Sequence, residues 1–263
     1  MEMNDLILDQ VVELLAYGQI DEAKALATGR PEILQKIDQS TAFLKNIREY
    51  ENYYSSDMQG PHKRIAGEHL TETYAYQIWS KPYLTAAKLI AAMEKRDSLL
   101  DLGCGDGLMI FNLLYHQIIK SAVGIDAWEN GISFARVYAN KKSFAAKFTR
   151  SLFEKFETQD TFDVVFIGEV LEHVVDPIVV LKKAKSFLNP GGRLVTTVPL
   201  VRPKISAAER AQLLSGEPIQ HVREMTPSKL AQLTTAAGFS LEGHIAAGDH
   251  WICLVSVFKL GIV

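Results

Sequence analysis

The chain is poor in cysteine. Its 263 residues hold only Cys104 and Cys253, at no metal-binding spacing, which points to a reducing compartment and not to a disulfide framework. Excess charge is lacking as well. The net charge of −3 implies no global attraction to nucleic acid or to an anionic membrane. No run of about 18 apolar residues occurs, so no membrane span is expected. The start, Met1 to Leu6, lacks the basic opening of a signal peptide. There is no clear internal repeat or low-complexity tract. These shortages lead to the expectation of a cytoplasmic globular protein. With 48% hydrophobic residues a core is affordable, and the length suits one large domain or one domain plus an extension.

A local shortage says more. From Asp97 to Ile119 there is no Lys or Arg, although this stretch contains Gly103, Gly105 and Gly107. Leu99, Leu100 and Leu102 read as a short buried strand, and Leu108 to Tyr115 has the apolar spacing of a helix. Strand, glycine turn and helix bring a ligand against bare backbone and a helix N-terminus. A phosphate cradle would set a cation in that loop. The dinucleotide fingerprint needs a glycine five residues after its first, where Leu108 stands. Instead Asp101 enters the loop and Asp106 sits inside it. Two carboxylates repel a pyrophosphate and welcome an ammonium group. Asp126 closes the next apolar run, Ala122 to Asp126, about 20 residues on, the usual place for an acid that binds ribose hydroxyls. A ligand with a ribose, a cationic amine and no phosphate meets all three conditions.

Leu100-Asp-Leu-Gly-Cys-Gly-Asp-Gly107 resembles the first motif of the class I S-adenosylmethionine-dependent methyltransferases, and later motifs follow in order. The resemblance covers roughly residues 65–260. It implies an α/β fold, a doubly wound, mostly parallel seven-stranded sheet in the order 3-2-1-4-5-7-6. It implies S-adenosyl-L-methionine as cofactor, held by Asp101, Gly103, Cys104, Gly105, Asp126, Ala127, Ser151, Leu152 and Glu169. At Ser151 the chain departs from the family, which often has an acid there for the adenine amino group. The Ser151 hydroxyl or the Leu152 backbone would have to serve instead.

The organisation expected is a helical extension over residues 1–54, an aromatic-rich cap segment with a lead-in helix over 55–96, and the methyltransferase domain over 97–263. The extension is too short for a confident core of its own and docks on the main domain or on a second copy, so a homodimer through these helices is one expectation. In the cap, Tyr74, Tyr76 and Trp79 are candidates to stack on an adenine or to wall the substrate, with core packing as the alternative. Arg64 and His69 are within conceivable reach of the pocket. Tyr83 to Met93 reads as the lead-in helix.

Downstream the pattern predicts strands over 122–126, 145–150, 162–168 and 193–198, with helices over 128–140 and 178–188. Asn189-Pro-Gly-Gly192 is read as the terminator of the second helix. Trp128 either shields the adenine or anchors its helix. Residues 199–225 read as an insertion. Thr226 caps a further helix with Pro227 at its first position, and Gly238 ends it. Two antiparallel strands, 241–247 and 251–258, close the chain across Gly248-Asp249.

Gly168-Glu-Val-Leu-Glu-His-Val174 follows the fourth strand, at the end that faces the ligand crevice. If 169–174 is helical, Glu169, Glu172 and His173 share one face. A sulfonium is already a good leaving group, so the protein must align the acceptor, exclude water and, for a hydroxyl, take its proton. Histidine is suited to that by its pKa. The candidate catalytic residues are His173, then His221, with Glu169. A divalent metal on Glu169, Glu172, His173 and His221, which would lower a hydroxyl's pKa, is the alternative. That pattern partly resembles the small-RNA 3′-end 2′-O-methyltransferases, but an expected asparagine segment is replaced by Val198-Pro-Leu-Val-Arg-Pro203. The same Glu-Val-Leu-Glu-His-Val also resembles the ubiquinone-biosynthesis O-methyltransferases. The expected partner is therefore a small-molecule acceptor, with RNA ribose methylation and a non-catalytic cofactor-binding module as rival readings. A nicotinamide oxidoreductase is disfavoured by the missing glycine. His62, His116, His244 and His250 are isolated, and Lys141, Lys142, Lys147 and Arg150 read as a solvated face.

Overall fold

In a computed structural model of the chain, the structure describes residues 20–45, 80–174, 176–200, 225–248 and 253–261, together with positions 7, 10, 11 and 14. Its elements in order are α1 (Ile20–Leu26), α2 (Pro31–Lys45), α3 (Ser80–Ala91), β1 (Ser98–Leu102), α4 (Leu108–Tyr115), β2 (Ser121–Asp126), α5 (Glu129–Lys142) and β3 (Ala146–Arg150). Then follow β4 (Phe162–Gly168), α6 (Pro177–Ser186), β5 (Leu188–Pro199), α7 (Pro227–Ala236), β6 (Phe239–Ala247) and β7 (Cys253–Leu260).

The strands form one seven-stranded sheet, β3-β2-β1-β4-β5-β7-β6. The first five run parallel, and β7 is antiparallel to both β5 and β6. This is the order that the resemblance implied. Helices cover both faces. Ala86, Ile110 and Ile132 of α3, α4 and α5 pack with Leu99, Val164, Val195 and Val255 on one side. Leu181 and Leu230 of α6 and α7 pack with Leu100, Ile167, Leu194 and Leu254 on the other. Covered on both faces, the middle of β4, Val164-Val-Phe-Ile167, is wholly buried and reads as an unbroken apolar run. Each such side chain contributes about 1.5–3 kcal/mol.

Two local expectations need correction. The sequence 189–192 does not terminate α6. That helix ends at Ser186 with Phe187 as its C-cap, and Leu188 already pairs with Phe162. Asn189 to Gly192 instead forms an irregularity early in β5, between the Phe162–Leu188 and Val164–Arg193 pairings. Asn189 Nδ2 donates to Asp163 Oδ1 there at 2.9 Å, so a polar turn sequence is absorbed as a bulge. Residues 169–174 are not helical either. Glu169 leaves β4 at φ 53°, and only Leu171 to His173 form a turn, with the His173 N–H donating to Val170 O at 2.9 Å.

The capping signals do hold. Thr226 Oγ1 accepts from the Lys229 N–H at 3.0 Å, with Pro227 following at the head of α7. The cap residues Tyr74, Tyr76, Trp79, Arg64 and His69, most of the 199–225 insertion including His221, and His62, His250 and Trp251 lie outside the described residues.

Candidate active site

Strand order reverses between β1 and β4, because β2 and β3 lie to one side and β5, β7 and β6 to the other. A crevice opens at the carboxyl ends of such strands, and the candidate residues gather around it.

Its floor is the turn after β1. The N–H groups of Gly103 and Cys104 both donate to Ile125 O, at 2.8 and 3.0 Å, tying the loop to the end of β2. Gly103 has φ 89° and a Cβ there would overlap Val170, so only glycine fits. Gly105 has φ 55°, and none of the described residues lies within 4 Å of where a Cβ would point. Asp126 braces the loop from β2. Its Oδ2 accepts from the Gly105 N–H and its Oδ1 from the Trp128 N–H, both at 2.8 Å. A carboxylate offers about four lone-pair sites, so acceptor capacity remains for hydroxyl donors.

Asp101 lies deeper, 2% exposed, and its Oδ1 has no hydrogen-bond partner among the described residues. Burial, then the neighbouring Asp126 charge, pushes its carboxyl well above the usual range. Asp106, inside the loop, is raised to about 6, chiefly by burial and partly opposed by its own N–H and that of Leu108. Asp126 is raised by burial too, against the N–H groups of Trp128, Gly105 and Ala127. Burial thus disfavours the ionised form of all three acids, a cost that a cation bound beside them would offset. Their acceptor oxygens fit the ammonium and hydroxyl donors of a cationic ribonucleoside and do not fit a pyrophosphate.

On the β2–β3 side, Ala127 O accepts from Arg150 Nε at 3.3 Å. The Ser151 N–H donates to Asp126 O at 2.9 Å and its hydroxyl to Leu152 O at 2.9 Å. Trp128 is 1% exposed at the start of α5, and a Cβ at Gly131 would overlap its ring. The ring thus packs against the first turn of α5.

The second cluster surrounds the exit of β4. The Glu169 N–H donates to Thr197 O at 2.9 Å, and Glu169 Oε2 accepts from Cys253 Sγ at 3.5 Å. Glu172 is 1% exposed, and its Oε1 stands 3.7 Å from His173 Nε2, ion-pair range but longer than a hydrogen bond. Because Glu169 turns off in a left-handed conformation, Glu169, Glu172 and His173 do not share a helix face. Among the described residues, no group of three or more His, Cys, Asp or Glu side chains converges as a metal would require. Sequence reading missed Tyr83. It looked like the start of the lead-in helix, yet its hydroxyl lies 3.5 Å from Gly168 O at the site. Nothing local marks it; only the packing of α3 across the sheet brings it there.

The sheet order and the acid-lined, glycine-floored crevice at its switch point define a nucleoside-binding protein of the doubly wound class. A family model described as a methyltransferase domain matches residues 73–244, more than half of the chain, which therefore belongs to the S-adenosylmethionine-dependent methyltransferase family. The ubiquinone biosynthesis O-methyltransferase of Aeromonas salmonicida is 29% identical over 171 residues, covering 62% of this chain and 70% of that protein. Its namesake in Bradyrhizobium diazoefficiens is 33% identical over 99 residues, 38% of each chain. Among solved structures, magnesium protoporphyrin IX methyltransferase from Synechocystis, with bound S-adenosylhomocysteine, superimposes with TM-score 0.60 at 14% identity, over 81% of this chain and 98% of that one. The [4+2]-cyclase SpnF matches with TM-score 0.55 at 15% identity, over 68% and 81%. At such identities these two likenesses establish the fold alone.

Proposed function

We propose that the chain methylates the hydroxyl oxygen of a small molecule, with S-adenosyl-L-methionine as donor and His173 as the base. The observation that carries this reading is the buried Glu172 carboxylate 3.7 Å from His173 Nε2, at the carboxyl end of the central strand. Asp101 accepts the ammonium of the cofactor's amino-acid arm, and Asp126 the ribose hydroxyls. Gly103, Cys104 and Gly105 supply the peptide floor; Ala127, Ser151 and Leu152 border the base; Glu169 stands at the rim. When bound, the cofactor supplies a methyl on a sulfonium, whose bonding pair stays on sulfur as the thioether. His173 takes the acceptor's hydroxyl proton as the new carbon–oxygen bond forms. The imidazolium so produced faces Glu172, which stabilises it. His221 is the second candidate for the base.

The relatives' name supports oxygen as the atom methylated and a small molecule as its carrier. Among the described residues no helix is long and apolar enough to cross a membrane. The test is methyl transfer to a panel of hydroxylated aromatic acceptors, run with and without a chelator. His173→Gln should lower turnover by about a hundredfold or more, the usual weight of a general base, while S-adenosylhomocysteine binds as before. Undiminished turnover in that variant removes His173 from the reaction, and turnover abolished by the chelator replaces the histidine base with a metal.

A further inference from the structure

Tyr83 enters the crevice from a helix outside the nucleotide-binding units. Its helix α3 packs on β5 and β7, and its ring meets Phe166 of β4 edge-on, 5.7 Å between centroids at 69°. The phenol donates towards Gly168 O at 3.5 Å, and a Cβ at Gly168 would come within 3.0 Å of the phenol oxygen. The hydroxyl is thus at the carboxyl end of β4, beside the reversal of strand order. Glu169, Asp101, Glu172 and Cys253 act on it there, and with burial, the largest influence, they hold the phenol in its neutral form. Among the described residues, no Lys or Arg figures in the surroundings that shift Tyr83 or Asp101. Around the phenol this end of the crevice gathers acceptors and acidic side chains. Asp101 Oδ1, buried and without a hydrogen-bond partner among the described residues, marks the place where a cationic donor fits.

A protonated primary amine carries three N–H donors on one nitrogen, so three acceptors must surround it once water is excluded. We infer that Tyr83 is a cofactor-binding residue whose phenol oxygen accepts a hydrogen bond from the ammonium of the amino-acid arm, next to Asp101. This rests on the crevice being the S-adenosylmethionine site. Donation of the phenol proton towards Gly168 O orients the hydroxyl and leaves its lone pairs for the amine. A hydroxyl serves here where another carboxylate would not, because it adds an acceptor without adding charge to Asp101, Glu169 and Glu172. The consequence is selectivity: the site distinguishes nucleosides that carry the amino-acid arm from those that lack it.

The experiment is calorimetric titration of the full chain and of Tyr83→Phe with two probes, S-adenosylhomocysteine and 5′-methylthioadenosine. The second keeps the nucleoside and the thioether but has no amino-acid arm. Phenylalanine preserves the ring and its contact with Phe166. Tyr83→Phe should weaken S-adenosylhomocysteine about tenfold, ~1.4 kcal/mol, and leave 5′-methylthioadenosine within about twofold. Tyr83→Met must show the same split, and it stands in should the first variant not fold. Equal weakening of both probes would make Tyr83 a packing residue, and unchanged binding of both would remove it from the site. If the unaltered chain binds neither probe, the cofactor reading itself fails and takes this inference with it. If the unaltered chain binds S-adenosylhomocysteine and the split is missing, only the Tyr83 assignment falls.

Discussion

Asp126 does two jobs that a sequence motif cannot separate. It was legible as an acid for ribose hydroxyls from its distance to the glycine loop. The structure adds that its two oxygens already hold the Gly105 and Trp128 N–H groups. Asp126→Ala should therefore weaken cofactor affinity by at least tenfold, on the order of 1.4 kcal/mol, and also loosen the empty loop. Asp126→Asn keeps one acceptor oxygen and should retain more of the fold than of the affinity. Calorimetry beside thermal melting separates the two effects, and an alanine variant with unchanged affinity contradicts the ribose contact. Tyr83 is the opposite case: an ordinary helix residue by pattern, placed at the site only because α3 crosses the sheet.

At the scale of elements, periodicity located every strand of the sheet to within a few residues. The ends went astray where side chains and not periodicity decide them. Helix α6 starts at Pro177 because Asp176 Oδ1 accepts from the N–H groups of Ile178 and Val179, at 2.9 and 3.1 Å. Asp176→Ala leaves those donors without that acceptor and should cost about 1 kcal/mol, read as a lower unfolding midpoint with little change in cofactor affinity. Loss of affinity as large as that of Asp126→Ala would instead give Asp176 a direct part in the site. The turn sequence 189–192 was misread because Pro and Gly announce a break in either direction. Only the Asp163–Asn189 bond across the sheet shows that the break lies within β5. Glu169 was misread for a related reason. Helical spacing in sequence assumes helical backbone, and its left-handed φ is imposed by the exit from β4 against β5.

For the molecule as a whole, the buried acids at the loop make stability depend on pH in the empty state. Asp106 has a folded pKa of about 6 against an ordinary 3.8, so the folded state holds a proton that the unfolded state has lost between those values. Stability from this group is therefore undiminished below about pH 4, falls as pH rises through about 6, and then levels. The penalty at neutral pH is on the order of 3 kcal/mol. Asp101 and Asp126, also raised by burial, add in the same direction. Asp106→Asn should raise the melting temperature of the cofactor-free protein at pH 7.5 and leave it unchanged near pH 4. Parallel curves for both proteins across that range would show that Asp106 is not titrating within the fold.

What the sequence by itself determined is whatever depends on local rules. Apolar spacing sets strands and helices, glycines set the turn, and the missing cations together with three aspartates set the sign of the ligand's charge. The tertiary structure alone decided which side chains from distant segments share the crevice, that Glu169, Glu172 and His173 do not line up on one helix face, and how far Asp101 is desolvated. Those are properties of packing across the sheet. Burial and proximity arise only once β1, β4, β7 and α3 are brought together, and no spacing along the chain encodes them.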